Sequence, residues 1–240
     1  MIDINKIYLD DCLKLMTHID TGIVDMILAD LPYGKTRNEK DIMIPFEPLW
    51  EHYNRIIKPN GCIALFAQGT FAYKLALSNE KMYRYDLIWK KGERTTGFLD
   101  AKKKPLRNHE QILIFYKKQP TYNPQMVLGE KSHSRGTGYK LVNNNYGKYN
   151  FIEGEASNGD LKYPKSILNF DRPHPPVHRT QKPVKLCEWL IQTFTNPGEL
   201  VLDNTCGIGT TCIAAKNTGR NFIGIEMDEH WYNMDYYHLL

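Results

Sequence analysis

The sequence has few cysteines, and none of them is spaced for a metal site or a disulfide framework. The five cysteines are odd in number and scattered, with no C-x-x-C pair, which excludes the usual spacing of a structural zinc site. No run of about 18 apolar residues occurs, which excludes an ordinary transmembrane helix. The first residues also lack the charged and then apolar pattern of a secretory signal. We therefore expect a cytoplasmic protein, in a reducing compartment, without a structural metal.

Acidic residues are scarce in the middle of the chain. Residues 84–182 carry 19 lysines and arginines against nine acids, whereas the rest of the chain carries 12 against 18. A solvated charged surface is the alternative for each lysine cluster taken alone, but the segregation by sign favours contact with phosphate groups. The residues that we predict to bind nucleic acid are Lys102, Lys103, Lys104, Arg107, Lys131, Arg135 and Lys140.

An apolar run ends at an acid that is followed by a proline–tyrosine pair. Residues 25–34 read DMILADLPYG, so Asp30 should lie at the carboxyl end of a buried strand, where open α/β sheets place their ligands. Pro32 biases Leu31 toward extended geometry, so the Leu31 carbonyl and the Asp30 carboxylate can both accept hydrogens from one NH2 group. Tyr33 would supply a flat face for an extruded base. The alternative is a strand followed by an ordinary proline turn.

A second pattern, at residues 200–226, reads as strand, glycine loop and helix. Leu-Val-Leu-Asp203 runs into Asn-Thr-Cys-Gly-Ile-Gly-Thr-Thr211, in which the glycines allow a tight turn and close backbone approach. The next strand ends in Glu226, an acid placed to accept hydrogen bonds from ribose hydroxyls. The loop lacks the third glycine of the dinucleotide fingerprint, which disfavours a nicotinamide oxidoreductase. A nucleoside pocket is favoured over a plain structural turn.

Together the two patterns resemble the amino-methylating DNA methyltransferases that use S-adenosylmethionine, in the permuted order of the beta group, where the acid-Pro-Tyr motif comes first. Residues 178–184 are similar to the family segment that completes the cofactor pocket, and residues 109–115 to a late family strand. Residues 7–12 resemble the strand whose terminal acid contacts the adenine of the cofactor, here at the start of the chain as the permutation requires.

The resemblance implies an α/β, Rossmann-like methyltransferase fold with a circularly permuted, seven-stranded, mostly parallel sheet. It divides the chain into a catalytic half (1–118), a loop-rich target-recognition insertion (119–176) and a cofactor-binding half (177–240). The predicted strands are 6–9, 24–29, 62–67, 84–89, 111–116, 200–202 and 221–225, and the predicted helices are 47–57, 70–79, 184–195 and 209–218.

The resemblance also implies roles for individual residues. The catalytic residues are the four of the first motif, 30–33. Leu31 replaces the usual first proline, but its role belongs to the backbone carbonyl. Asn204-Thr205 stand where Pro-Phe is usual, which removes an aromatic packing partner of the cofactor. The cofactor-binding residues are Asp11, Cys12, Thr180, Gln181, Lys182, Pro183, Asp203, Thr205, Cys206, Gly207, Gly209, Thr210, Thr211 and Glu226. A simple helix cap is the alternative role of Asp11.

The implied reaction is methyl transfer from S-adenosylmethionine to the exocyclic amine of adenine in double-stranded DNA, by base flipping and direct in-line attack. An Asp rather than a Ser at position 30 favours adenine over the amine of cytosine. No cysteine follows a proline, so the nucleophile needed to methylate a cytosine ring carbon is absent. A cytosine amine methyltransferase, an RNA or protein amide methyltransferase and an inactive nucleic-acid-binding module remain as alternatives. A homodimer and a cognate restriction endonuclease are left open.

Overall fold

The computed structural model describes residues 2–34, 41–129, 161–175 and 181–234. Four residues with predicted site roles, Thr180, Lys131, Arg135 and Lys140, lie outside the described residues. The elements in chain order are β1 (Lys6–Leu9), α1 (Cys12–Met16), β2 (Val24–Ala29), α2 (Phe46–Ile56), β3 (Ile57–Ala67), α3 (Thr70–Ser78), β4 (Tyr83–Lys90), β5 (His109–Phe115), β6 (Val127–Leu128), β7 (Leu161–Lys162), β8 (Ile167–Asn169), α4 (Val184–Phe194), β9 (Leu200–Asp203), α5 (Thr210–Asn217), β10 (Asn221–Glu226) and α6 (Glu229–Tyr232).

The chain divides into two compact units. The larger one comprises residues 1–123 and 166–240, and the smaller one residues 124–165. In its described part the smaller unit contains the short antiparallel pair of β6 and β7. It lies inside the insertion predicted at 119–176, whose role in target recognition stays a prediction.

The main sheet of the larger unit has the order β1-β10-β9-β2-β3-β5-β4-β8. All strand pairs are parallel except the two that involve β5. The seven predicted strands are all present, which confirms a mostly parallel sheet, and β8 adds an eighth strand beside β4. In β1, Leu9 pairs with Glu226 of β10, so the first strand of the chain lies beside its last strand, as the permutation predicts.

Strand β2 shows why the sheet is covered on both faces. All six of its residues are buried, as expected for a strand between two helical layers. Alternate residues enter different cores: Ile27 and Ala29 pack with α1, α2 and α3 on one face, whereas Met26 and Leu28 pack with α4 and α5 on the other. The one charged residue of β2 is Asp25, which is also buried and whose carboxylate accepts hydrogen bonds from the Lys58 ammonium at 2.6 Å and the Leu200 amide at 2.9 Å.

Helix α2 follows the spacing expected of an amphipathic helix. In α2 the buried residues are Leu49, Trp50, Tyr53 and Ile56, which form one stripe along the helix. Among the described residues, no helix combines the length and the apolar character needed to cross a membrane.

Candidate active site

The carboxyl ends of the parallel strands open into one cavity of about 1080 Å³. It exceeds the usual range for one small ligand, roughly 300–1,000 Å³, so it has room for a nucleoside-sized cofactor and a separate base. Residues of both sequence motifs line this cavity. Asp30 and Tyr33 follow β2, Asp203 is the last residue of β9, and Gly207 lies in the loop after β9. The sheet therefore brings together two segments that are far apart in the sequence, with Asp30 and Thr205 separated by 175 positions.

Asp30 is held by hydrogen bonds on every oxygen. The Tyr33 hydroxyl donates to Asp30 Oδ1 at 2.9 Å, and Lys182 Nζ donates to Oδ2 at 2.5 Å. The Thr205 hydroxyl donates to the Asp30 backbone carbonyl at 3.2 Å. Each carboxylate oxygen can accept a second hydrogen bond, and the side chain remains 27% exposed. The carboxylate is thus fixed in position but still accessible to a donor in the cavity.

Tyr33 combines a packed ring with a directed hydroxyl. Its ring stacks on Phe71, with the centroids 4.6 Å apart and the planes at 28°, so Phe71 covers one face of the ring. Burial, together with the negative charges of Asp30 and Glu110, raises the pKa of the Tyr33 hydroxyl well above its usual value. The phenol therefore stays protonated and acts as a donor to Asp30.

A buried ionic cluster lies behind Asp30. Lys182 Nζ also approaches Glu110 Oε2, at 3.4 Å, and Lys91 Nζ donates to Glu110 Oε1 at 2.5 Å. Burial raises the pKa of Glu110, but Lys182 and Lys91 outweigh that effect, and the pKa lies below its usual value. Burial lowers the pKa of Lys182, but Asp30 and Glu110 outweigh it, and the pKa is raised. The cluster thus contains two carboxylates and two ammonium groups.

Sequence reasoning missed Glu110 and Lys91 as site residues. Strand β5 runs antiparallel to β3, so its first residues lie at the same edge of the sheet as the last residues of the parallel strands. Glu110 is the second residue of β5, and Lys91 directly follows β4. In the sequence, Glu110 directly precedes the apolar run at 111–116. That position indicates a site residue only if the strand is known to be antiparallel.

The cofactor half contributes two buried acids. Burial raises the pKa of Asp203 to about 7, and its Oδ1 accepts the Thr205 amide at 3.1 Å. Burial also raises the pKa of Glu226, whose Oε2 accepts the Gly207 amide at 2.8 Å and whose Oε1 accepts the Asp228 amide at 2.7 Å. These bonds orient the Glu226 carboxylate at the edge of the cavity.

Two further residues have structural roles beside the cavity. Asp11 caps helix α1, with Oδ1 accepting the Lys14 amide at 3.0 Å, and it also lines the cavity. Asn204, which stands where the family usually has proline, accepts a buried hydrogen bond of 2.6 Å from the Tyr53 hydroxyl. The departure from the family pattern therefore ties the glycine loop to α2.

Most of the predicted cofactor residues line the cavity, but not all of them. Pro183 and Gly209 are not among its lining residues; they precede α4 and α5 as N-cap residues. The charged end of Lys182 lies on Asp30 and Glu110, so a cofactor contact by that residue stays a prediction. The predicted cofactor residues that do line the cavity are Asp11, Cys12, Gln181, Lys182, Asp203, Thr205, Cys206, Gly207, Thr210, Thr211 and Glu226. Within the described part of the chain, no group of three or more His, Cys, Asp or Glu is placed to hold a metal ion.

The described basic residues predicted to bind nucleic acid lie in the connection between β4 and β5, residues 91–108. Lys102, Lys103, Lys104 and Arg107 are all exposed, and Lys104 forms an ion pair of 2.9 Å with Asp100. The connection is closed by backbone hydrogen bonds between Arg107 and Thr96, and Thr96 lines the cavity. The basic segment is therefore attached directly beside the cavity.

An acid-Pro-Tyr turn and a glycine loop that open into one cavity of a permuted α/β sheet define the class of amino-methylating methyltransferases. Residues 24–235 match the DNA methylase family model, and the chain belongs to this family. It is a DNA methyltransferase, and the methyl donor of the family is S-adenosylmethionine.

Similar proteins cover nearly the whole chain. The Type II methyltransferase M1.MboII of Moraxella bovis is 27% identical over 97% of this chain and 95% of its own length. The DNA adenine methyltransferase YhdJ of Escherichia coli K12 is 28% identical over 93% of this chain and 79% of its own. Among solved structures, the M1.HpyAVI–SAM complex superposes with a TM-score of 0.62 at 22% identity, covering 95% and 96% of the two chains. The cytosine-N4-specific PvuII methyltransferase gives 0.72 at 16% identity, covering 98% and 86%.

Proposed function

We propose that this DNA methyltransferase modifies the exocyclic amine of adenine in duplex DNA. The observation that carries the proposal is the Asp30 carboxylate, fixed by Tyr33 and Lys182 at the carboxyl end of β2 with room for another donor. The amine lone pair of adenine is delocalised into the ring and is a poor nucleophile. If the Asp30 carboxylate and the Leu31 carbonyl accept its two hydrogens, the lone pair is directed toward the methyl donor.

The polar side chains that line the cavity fit S-adenosylmethionine. The Glu226 carboxylate suits ribose hydroxyls, and the acids Asp11 and Asp203 suit positively charged or amino groups. When bound, S-adenosylmethionine supplies an electrophilic methyl group. The residues of this chain orient the amine, exclude water and stabilise the charge that develops on it, so no covalent enzyme intermediate is needed. Extrusion of the base costs a few kcal/mol, which stacking on Tyr33 partly offsets.

Adenine is favoured over cytosine by the acid at position 30 and by the similarity to YhdJ. The test is to express the chain in a host without its own DNA methylases and to sequence the genomic DNA by a single-molecule method that distinguishes methyladenine from methylcytosine. We expect methyladenine at one short motif, and none with the Asp30→Ala variant. Methylcytosine would overturn the adenine assignment alone, and normal activity of Asp30→Ala would overturn the assignment of the catalytic acid.

If the wild-type protein left the genomic DNA unmodified, the alternatives would be an RNA or protein methyltransferase and an inactive nucleic-acid-binding module. A tritium-transfer assay that compares duplex DNA, RNA and protein would then identify another substrate class. Methyl transfer that stopped at one equivalent per protein would favour an inactive module that binds nucleic acid.

The partners proposed for the enzyme are duplex DNA, a second copy of the chain and a cognate restriction endonuclease. The exposed lysines beside the cavity support contact with DNA, and the similarity to Type II methyltransferases supports an endonuclease partner. All five cysteines are buried free thiols, which suits a reducing, cytoplasmic location. Gel filtration at two protein concentrations tests the homodimer.

A further inference from the structure

Two carboxylates compete for the Lys182 ammonium. Nζ lies 2.5 Å from Asp30 Oδ2, with the geometry of a hydrogen bond, and 3.4 Å from Glu110 Oε2. Glu110 Oε2 is buried, and among the described residues no donor reaches it with hydrogen-bond geometry. Because an unsatisfied buried acceptor is costly, this oxygen is a second acceptor for the same ammonium group.

The two positions of the ammonium differ in their effect on the reaction. The target amine gains positive charge as it takes the methyl group, and Asp30 stabilises that charge best when no other cation already matches it. With Lys182 hydrogen-bonded to Asp30, Oδ2 already accepts a strong donor. With Lys182 hydrogen-bonded to Glu110, the ammonium stays close to Asp30, but Asp30 Oδ2 can accept a hydrogen of the amine and Glu110 Oε2 is satisfied.

We propose that Lys182 is a displaceable counter-ion, which occupies Asp30 in the free enzyme and moves onto Glu110 when the amine of the target base arrives. A movement of roughly 0.5 Å would bring the ammonium to the distance of a charge-assisted hydrogen bond with Glu110. The side chain is 9% exposed, and its ammonium lies 5.0 Å from the centre of the Phe66 ring, so solvent does not compete for it. Lys182 and Glu110 are then positioning residues that act through Asp30.

The first test replaces the second acceptor. Glu110→Gln should hold Lys182 on Asp30 and lower kcat about tenfold or more, whereas KM for DNA and the affinity for S-adenosylmethionine stay unchanged. The matched control is Glu188→Gln, which removes a buried carboxylate paired with Lys185 at 2.8 Å on α4, away from the cavity, and should leave kcat unchanged. A normal kcat for Glu110→Gln would overturn the proposal.

The double variant tests whether Glu110 acts through Lys182. If it does, Glu110→Gln should cost little in a Lys182→Met background, since the ammonium that it holds is gone. An equal loss in kcat from Glu110→Gln with and without Lys182 would contradict this. Thermal unfolding of all variants shows whether they fold. If Glu110→Gln does not fold, the binding measurement on Lys182→Met described next tests the proposal independently.

The second test compares duplexes that carry adenine or purine, which lacks the 6-amino group, at the target position. If the proposal holds, the amine of adenine displaces Lys182 in the wild type, and purine cannot do so. Lys182→Met should therefore raise the preference for adenine over purine about tenfold in binding affinity, without changing the affinity for S-adenosylmethionine. An unchanged preference would refute displacement, and a lost cofactor affinity would instead assign Lys182 to the cofactor.

The inference rests on the amine transfer proposed above, and the two can fail separately. A wild-type protein that methylates no base would contradict the proposed function. An active wild-type enzyme whose Glu110→Gln variant has a normal kcat would contradict only the displacement of Lys182.

Discussion

The hydroxyl and the ring of Tyr33 have separate roles. The hydroxyl donates to Asp30 at 2.9 Å, and the ring packs on Phe71. Tyr33→Phe should therefore lower kcat about ten- to hundredfold, because one hydrogen bond to a charged group contributes about 1.5–3 kcal/mol, with unchanged affinity for DNA. Tyr33→Ala should lose affinity for an extruded base as well. Single-turnover kinetics and equilibrium binding measure the two effects, and identical behaviour of the variants would contradict the separation.

Asp203 predicts a pH dependence of stability. Burial raises its folded pKa to about 7 from an ordinary value of 3.8, so the folded state binds the proton more tightly than the unfolded state. The resulting stabilisation is complete below about pH 3.8 and is lost as the pH rises through about 7. Between pH 5 and 8 the wild type should lose about 2–3 kcal/mol relative to Asp203→Asn, at 1.36 kcal/mol per pKa unit. Urea unfolding at both pH values measures this, and parallel changes in the two proteins would contradict it.

At the scale of the residue, sequence reasoning predicts what a local motif contains. Asp30 and Tyr33 lie in one continuous turn, and their position after an apolar run indicates their place at the sheet edge. Lys91 and Glu110 were not predicted because their proximity to Asp30 depends on the pairing of β4 with β5. A contact between distant segments leaves no local pattern.

At the scale of the element, two glycines are required for different physical reasons. Gly207 has φ +54, and an added Cβ would meet nothing within 4 Å, so Gly207→Ala should cost about 1–2 kcal/mol through backbone strain alone. In β10, a Cβ on Gly224 would lie 2.8 Å from Cys212 Sγ and from Ile7 Cγ1, so Gly224→Ala should cost about 1–3 kcal/mol through overpacking.

The overpacking caused by Gly224→Ala can be relieved by a second substitution, whereas the backbone strain caused by Gly207→Ala cannot. Cys212→Ala should recover part of the stability lost by Gly224→Ala, because it removes one of the two clashing atoms, but none of that lost by Gly207→Ala. Urea unfolding of the single and double variants measures the coupling. Additive effects for Gly224→Ala and Cys212→Ala would show that the strand shifts instead.

The predicted elements with long apolar runs were all found, within a few residues at each end, except that β3 begins five residues before its predicted start. Residues 57–61 contain a half-buried lysine, an exposed asparagine and a proline, which do not indicate a strand. Strand β8 has only three residues, of which Leu168 alone is buried. Its pairing with β4 stabilises it, and no periodic pattern could predict it.

At the scale of the whole molecule, the order of the motifs predicted the permuted sheet. The pairing of β1 with β10 confirms that order, because parallel neighbours must bring their terminal acids to one edge. The boundaries of the smaller unit could not be predicted in this way, since a region without helical or strand periodicity gives no signal of where one compact unit ends and the other begins.

The basic segment beside the cavity predicts the salt dependence of DNA binding. Lys102 and Lys103 are exposed and lie in the connection that Thr96 anchors at the cavity, so they can reach phosphates near an extruded base. Each phosphate contact that is lost should reduce the slope of log Kd against log salt concentration by about 0.9. Replacing both lysines with glutamine should therefore lower the slope by up to about 1.8.

The control replaces two other lysines in the same way, Lys74 on α3 and Lys216 on α5. Both are also exposed, but they lie on helices rather than in the basic segment. It changes the net charge of the protein by the same amount. Since contact with phosphates is local and net charge is not, only the first variant should change the slope. An equal change in both would mean that the overall charge of the protein, and not this segment, attracts DNA.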